Sequence, residues 1–87
     1  MALPAVTGFS YDKLIKILSW NSLGEDVEYE IQVKPSASPN FSTIYNGTKT
    51  HTEYDLLPGT YDLKGRGQSS GGGLGVWTDP PEVLVIN

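Results

Sequence analysis

The residues of this chain that could do chemistry are few and scattered. One histidine, His51, lies in the stretch Thr48-Lys49-Thr50-His51-Thr52, and none of the 87 residues is a cysteine. A lone imidazole builds a zinc site only if carboxylates complete it, so His51 reads as a solvent-facing strand residue. Ser69 and Ser70 sit among glycines with no base beside them in sequence, and a serine nucleophile needs such a base. Glu25, Asp26, Glu28 and Glu30 form the one dense acidic cluster. Paired carboxylates can serve acid–base chemistry or hold calcium, but the spacing is not that of an EF-hand. Glu28 and Glu30 alternate with apolar residues, the pattern of a charged outer strand face that keeps an edge soluble. The chain is therefore expected to be non-enzymatic, with no cofactor and no bound metal.

The segment Gly65-Arg66-Gly67-Gln68-Ser69-Ser70-Gly71-Gly72-Gly73-Leu74-Gly75 is glycine at six of eleven positions. A phosphate cradle would need a helix N-terminus or a basic residue after the glycines, and Leu74-Gly75-Val76 supplies neither. Two readings stand: a mobile hairpin connection, or a contact loop in which Gln68, Ser69, Ser70 and Leu74 join Trp77. Trp77 either packs on Lys64 or Arg66 as a cation–π partner or offers a platform on which a sugar stacks. Asn40-Phe41-Ser42 and Asn46-Gly47-Thr48 match the N-glycosylation acceptor pattern.

The 87 residues make one domain, 1–87, smaller than most, expected to be cut from a longer protein. The net charge of −4 argues against nucleic acid and against anionic lipid. No run approaches the ~20 apolar residues of a membrane span, and Met1-Ala2-Leu3-Pro4 has no secretion-signal pattern.

Helix signals are scarce. Prolines at 4, 35, 39, 58, 80 and 81 punctuate segments whose apolar residues alternate. In Glu28-Tyr29-Glu30-Ile31-Gln32-Val33, Tyr29, Ile31 and Val33 share one face, the period of a strand with one wet side. Lys13 to Trp20 reads as another strand, with Trp20, Leu18, Lys16 and Leu14 on one face. Lys16 breaks that face, so either a bulge shifts the phase or its stem lies along apolar surface. Further strands are expected at Ala5–Phe9, Phe41–Tyr45, Thr50–Leu56, Tyr61–Arg66 and Glu82–Ile86, joined by Asn46-Gly47, Pro58-Gly59, the glycine run and Asp79-Pro80-Pro81. Seven short antiparallel strands with frequent turns describe an all-β protein, a β-sandwich. Its core is expected from Leu18, Trp20, Tyr29, Ile31, Val33, Leu56, Tyr61 and Leu63.

Five pieces in order resemble a fibronectin type III domain, an immunoglobulin-like fold, over nearly the whole chain. They are Pro4, Leu18-Ser19-Trp20, Tyr29-Glu30-Ile31, the corner Leu56-Leu57-Pro58-Gly59-Thr60-Tyr61, and Gly75-Val76-Trp77-Thr78-Asp79-Pro80 leading into Val83-Leu84-Val85-Ile86. The corner lacks one residue before its tyrosine. Gly65 and Gly67 stand where the family usually carries Val and Ala, so a large side chain of the opposite sheet, Trp20 or Tyr29, is expected to fill the space. The resemblance implies the first, second and fifth strands in one sheet and the other four in the second. It also implies a tyrosine corner at Tyr61.

The function so implied is a structural or protein-contact module, spacer or adhesion domain, in an extracellular or virion-surface assembly. Phage tail proteins and bacterial secreted or surface proteins carry similar modules. Partners would be neighbouring domains or other proteins, with the isolated domain monomeric. Two alternatives are a carbohydrate- or host-receptor-binding module using the Gly-rich loop and Trp77, and an accessory domain of a polysaccharide hydrolase.

Overall fold

A computed structural model describes residues 3–69 and 72–87; Ser70 and Gly71 of the glycine run lie outside them. The described chain is all-β: β1 (Ser10–Asp12), β2 (Ile17–Ser19), β3 (Val27–Pro35), β4 (Ser42–Gly47), β5 (His51–Glu53), β6 (Gly59–Ser69) and β7 (Glu82–Ile86). They form two antiparallel sheets, β1-β2-β5 and β4-β3-β6-β7, three strands against four as expected, but with Ser10–Asp12 in the place expected of Ala5–Phe9.

The longest element shows why. In β3 the residues Val27, Tyr29, Ile31 and Val33 are buried, and those between them are more exposed. That alternation commits one face to a core and fixes the register, because a one-residue slip would turn every apolar side chain to water. Opposite it, β6 buries Leu63, Gly65 and Gly67. From the other sheet come Leu18 and Trp20, and β7 and the preceding segments add Ile86, Leu56, Val6 and Phe9 to the same cluster. The Trp20 ring lies 6.4, 6.2 and 5.4 Å from the rings of Phe9, Tyr29 and Tyr45, each tilted, which is the offset geometry aromatic quadrupoles prefer. Its Nε1 has no hydrogen-bond partner. Tyr61 is half-buried and packs at the margin of this cluster.

Three expectations about the strands are corrected. Residues Ala5–Phe9 are not a strand. Gly8 has φ +73°, which breaks an extended path, and the segment instead lays Val6 and Phe9 into the core. The second strand begins only at Ile17. Residues 13–16 are the turn of a β1–β2 hairpin, with Asp12 Oδ1 accepting from Leu14 N at 3.0 Å and Lys16 at φ +58°. Leu14 is 88% exposed, so neither a bulge nor a buried lysine stem is involved, and Lys16 pairs with the exposed Asp55 at 3.4 Å. At the fifth strand only His51–Glu53 pair, and Leu56 reaches the core from beyond it.

The glycines of β6 correct a fourth. A Cβ on Gly65 would stand 2.7 Å from Ile31 Cδ1 and 3.1 Å from both Cβ and Cγ2 of Val6. On Gly67 it would meet Leu23, Val27 and Leu3 at 2.9–3.1 Å. The space is thus filled by the N-terminal segment, the β2–β3 loop and the adjacent strand, and not by Trp20 or Tyr29. A strand glycine marks such close approach.

Tyrosine hydroxyls tie the loops. Tyr61 Oη donates to Leu57 O at 2.8 Å across the Pro-Gly turn. Tyr11 Oη donates to Tyr54 O at 2.8 Å and accepts from Leu56 N at 3.1 Å. Tyr29 Oη accepts from Leu23 N, and Tyr45 Oη from Lys49 N. Removing one hydroxyl by Tyr61→Phe is expected to lower unfolding stability by about 1 kcal/mol, the net worth of one such bond. A chemical-denaturation midpoint unchanged at constant slope would remove the corner from the account.

Candidate contact surface

Alternation along β3 and β6 sends Glu28, Glu30, Gln32 and Lys34 outward opposite Gln68, Arg66, Lys64 and Asp62, in register. The result is a row of cross-strand pairs, the unit of sheet stabilisation. Arg66 Nε and Nη2 both lie 3.0 Å from Glu30 Oε1. Lys34 Nζ lies 3.0 Å from Asp62 Oδ2. Gln32 Nε2 donates to Thr43 Oγ1 of β4 at 3.0 Å.

Asp62 also accepts from Ser36 Oγ at 2.7 Å. That hydroxyl, followed by the hydrogen bond of Lys34, holds its carboxyl below the ordinary 3.8; desolvation opposes them, and the charge of Lys34 adds a smaller help. A carboxylate with a depressed folded-state pKa contributes stability that is complete above the unfolded value, about 4, and is lost as pH falls through the folded one. Melting temperature is therefore expected to fall less steeply below about pH 4 in Asp62→Asn than in the parent. Parallel acid profiles would show that Asp62 gains nothing from these partners on folding.

Phe41 and Trp77 cap this row. Lys64 Nζ stands 4.4 Å from the Phe41 ring centre and 4.7 Å from that of Trp77. Lys34 Nζ is 5.5 Å from Phe41, and Arg66 Cζ is 4.6 Å from Trp77. Trp77 thus stacks on both expected cations, within the ~6 Å reach of the cation–π attraction.

Its position follows from its neighbour. Thr78 is the one buried polar side chain of the described residues. Its Oγ1 donates to Val6 O at 2.6 Å and accepts from Gly65 N at 3.1 Å, while its own N donates to Gly65 O at 3.2 Å. With Thr78 facing inward, Trp77 must face outward over β6. In the sequence Thr78 stands out only as part of the Gly75-to-Pro80 run, a hydroxyl between an aromatic and an Asp-Pro turn.

The Gly-rich loop is shorter than expected. Gln68 and Ser69 belong to β6, paired with Glu28 and Val27, because the nine residues of β3 extend the ladder past Arg66. Leu74 returns to bridge Gln68, with Gly75 N donating to Gly67 O at 2.7 Å and Ser69 N to Gly73 O at 3.0 Å. Gln68 and Leu74 are exposed, and Ser69 and Trp77 are half-buried. Ser70 falls outside the described residues.

The remaining candidates are dispersed. His51 is exposed on β5 opposite Ser19. Glu25 and Asp26 are exposed in the turn before β3. Asn40 and Asn46, the two acceptor asparagines, are exposed. Among the described residues no three of His, Cys, Asp and Glu gather as a metal site. An open groove of about 720 Å³ runs beside the β1–β2 hairpin and the end of β7, with Leu14, Ile15, Ile17 and Val85 in its wall. No protein-family model, no curated protein and no solved structure matches this chain.

Proposed function

We propose that this chain is a non-catalytic structural or protein-contact module, a fibronectin type III-like spacer or adhesion domain of a larger extracellular or phage-tail assembly. The observation that carries the reading is where the polar groups go. Asp62 and Glu30 of the four-stranded sheet pair across strands with Lys34 and Arg66, and tyrosine hydroxyls bind loop backbone. What the domain offers a neighbour is the outer face of the four-stranded sheet and a hairpin. The family reading draws support from the order of the five sequence pieces, the division of the strands between the sheets and the Tyr61 hydroxyl on Leu57 O. Because sandwiches host many roles, the role needs its own test.

That test is the amide proton–nitrogen spectrum of the labelled domain, recorded alone and with cello-, chito- and malto-oligosaccharides. A dispersed spectrum that the sugars leave unmoved is expected. Saturable shifts confined to Gln68, Leu74 and Trp77 would replace this reading with a carbohydrate-binding module. Trp77 already stacks on Lys64 and Arg66, so a sugar on that ring would compete with two cations.

A further inference from the structure

We propose that the free edge of β7 pairs with the same edge of a second copy of this chain, antiparallel and in a register centred on Leu84. This departs from the expected monomer. It rests on the protein-contact reading, names the partner, and adds the edge of β7 to the surfaces the domain offers. The first observation is which backbone groups β7 leaves free. Residues of an antiparallel ladder turn their backbone groups alternately to one neighbour and to the other. Ser36 N donates to Thr60 O at 3.0 Å, so Thr60, Asp62 and Lys64 of β6 face β3, and Tyr61 and Leu63 face β7. In the same phase, Gly65 O and Gly67 O accept from Thr78 N and Gly75 N on the β7 side. Glu82, Leu84 and Ile86 lie opposite Leu63, Tyr61 and Gly59, so their backbone groups turn to β6. Val83 and Val85 turn theirs outward, where none of the described strands lies.

The second observation is that this edge is unguarded and the others are not. Sheet proteins blunt their edges by shortness, charge, proline or a bulge. β1 and β5 are three residues each and carry Asp12 and Glu53. β4 pairs with β3 across a register shift and exposes Ser42, Thr43 and Asn46. β7 has five residues and an unbroken register, and its exposed side chains are Val83 and Val85, 64% and 59% accessible. The open groove of about 720 Å³ beside Val85 leaves room for another strand.

A second copy fits because the edge is its own complement. About a two-fold axis at Leu84, Val83 of each copy meets Val85 of the other. Every free N–H and C=O of the two valines is then paired, and branched side chains stand opposite each other, a stabilising cross-strand pair. A register centred on Val83 would set Val85 against Pro81, which has no N–H to donate. One centred on Val85 would set Val83 against Asn87, whose O already accepts from Lys13 Nζ at 3.3 Å. A ribbon this short buries less than the roughly 1,200 Å² at the lower end of stable interfaces, so the pairing is weak and is read at high protein concentration.

The experiment follows the labelled domain by sedimentation equilibrium and amide spectra between about 0.02 and 1 mM. The mass is expected to rise toward that of a dimer, with spectral shifts confined to Val83–Asn87 and slowed hydrogen exchange at Val83 N and Val85 N. In a mixture of carbon-labelled and unlabelled protein, contacts should appear between the Val83 methyls of one copy and the Val85 methyls of the other. Val85→Pro removes a donor that the β6–β7 ladder does not use, a place where an edge strand tolerates proline. It should weaken dimerisation by roughly tenfold or more, because the two-fold axis loses each bond twice. Val85→Thr keeps the N–H and the branched side chain and should remain dimeric. Should proline disturb the sheet, the methyl contacts in the parent protein decide.

A monomer at every concentration, shifts elsewhere, methyl contacts in another register, or a folded Val85→Pro as dimeric as the parent would each overturn the proposal. If the domain stays monomeric and sugars leave its spectrum unmoved, the edge pairing falls and the module reading stands. Sugar-induced shifts at Trp77 would remove the module reading and, with it, the ground for this one.

Discussion

Gly65→Val is expected to destabilise the domain by about 3 kcal/mol, the upper part of the range for overpacking a filled core. The new Cβ would lie 2.7 Å from Ile31 Cδ1 and 3.1 Å from Val6 Cβ. Ile31 Cδ1 is the end of a flexible side chain and can rotate aside. Val6 has no such freedom: its Cβ moves only with its backbone, and Val6 O is held at 2.6 Å by Thr78 Oγ1. The two further methyls of valine then meet a wall that can retreat only by breaking that bond. Guanidinium unfolding measures the loss. Gly65→Ala, which adds the Cβ alone, should fall between parent and valine and keeps the series readable if valine prevents folding. A valine variant as stable as the parent would mean that the N-terminal segment is not held against β6.

Thr78→Val should cost about 2–4 kcal/mol, although it exchanges a hydroxyl for a methyl of nearly the same shape. The loss comes from what it abandons. Gly65 N and Val6 O both bond to this one oxygen, in a place from which water is excluded. An unsatisfied buried donor or acceptor costs on the order of 1–3 kcal/mol each. Thr78→Ser keeps the oxygen and gives up one methyl, about 1 kcal/mol, so serine should lie much nearer the parent in denaturant midpoint. Serine and valine variants of equal stability would reduce Thr78 to simple packing. Because Gly65→Val and Thr78→Val both act on Val6, the double variant should lose less than the sum of the two.

How much of this was legible in the sequence depends on the range of the interaction concerned. The alternation of Tyr29, Ile31 and Val33 is local, and it placed β3 and its buried face without help. Glu82–Ile86 is likewise a strand at its expected bounds. The ends of other strands are set by partners, which one segment cannot reveal. Residues 13–16 look like strand in composition, but Asp12 caps a turn there. Gln68 and Ser69 look like loop, but β3 is long enough to pair with them.

The candidate surface divides in the same way. The stacking of Trp77 on Lys64 and Arg66 could be read from proximity along a hairpin. The ring of Phe41 on Lys64 could not, since it depends on where β4 lies beside β3. Gly65 and Gly67 announced a close neighbour but not its identity. Two of the residues that fill the space, Leu3 and Val6, come from an irregular N-terminal segment that carries no periodic signal.

Glu82 has a consequence of a different kind. From β7 its carboxylate accepts from Gly8 N at 3.0 Å and Phe9 N at 3.1 Å, joining residues more than seventy positions apart. The N-terminal segment has no strand of its own, and its remaining ties run to Asn21, through Thr7 O, and to Thr78. Peeling β7 from β6 therefore also releases the donors of Gly8 and Phe9, while Val6 stays tied to Thr78. Opening of β7 and of the segment before β1 is expected to be coupled, through the two bonds of Glu82. Fraying, which usually begins at termini, must here also break the two hydrogen bonds by which one carboxylate of β7 holds the segment before β1.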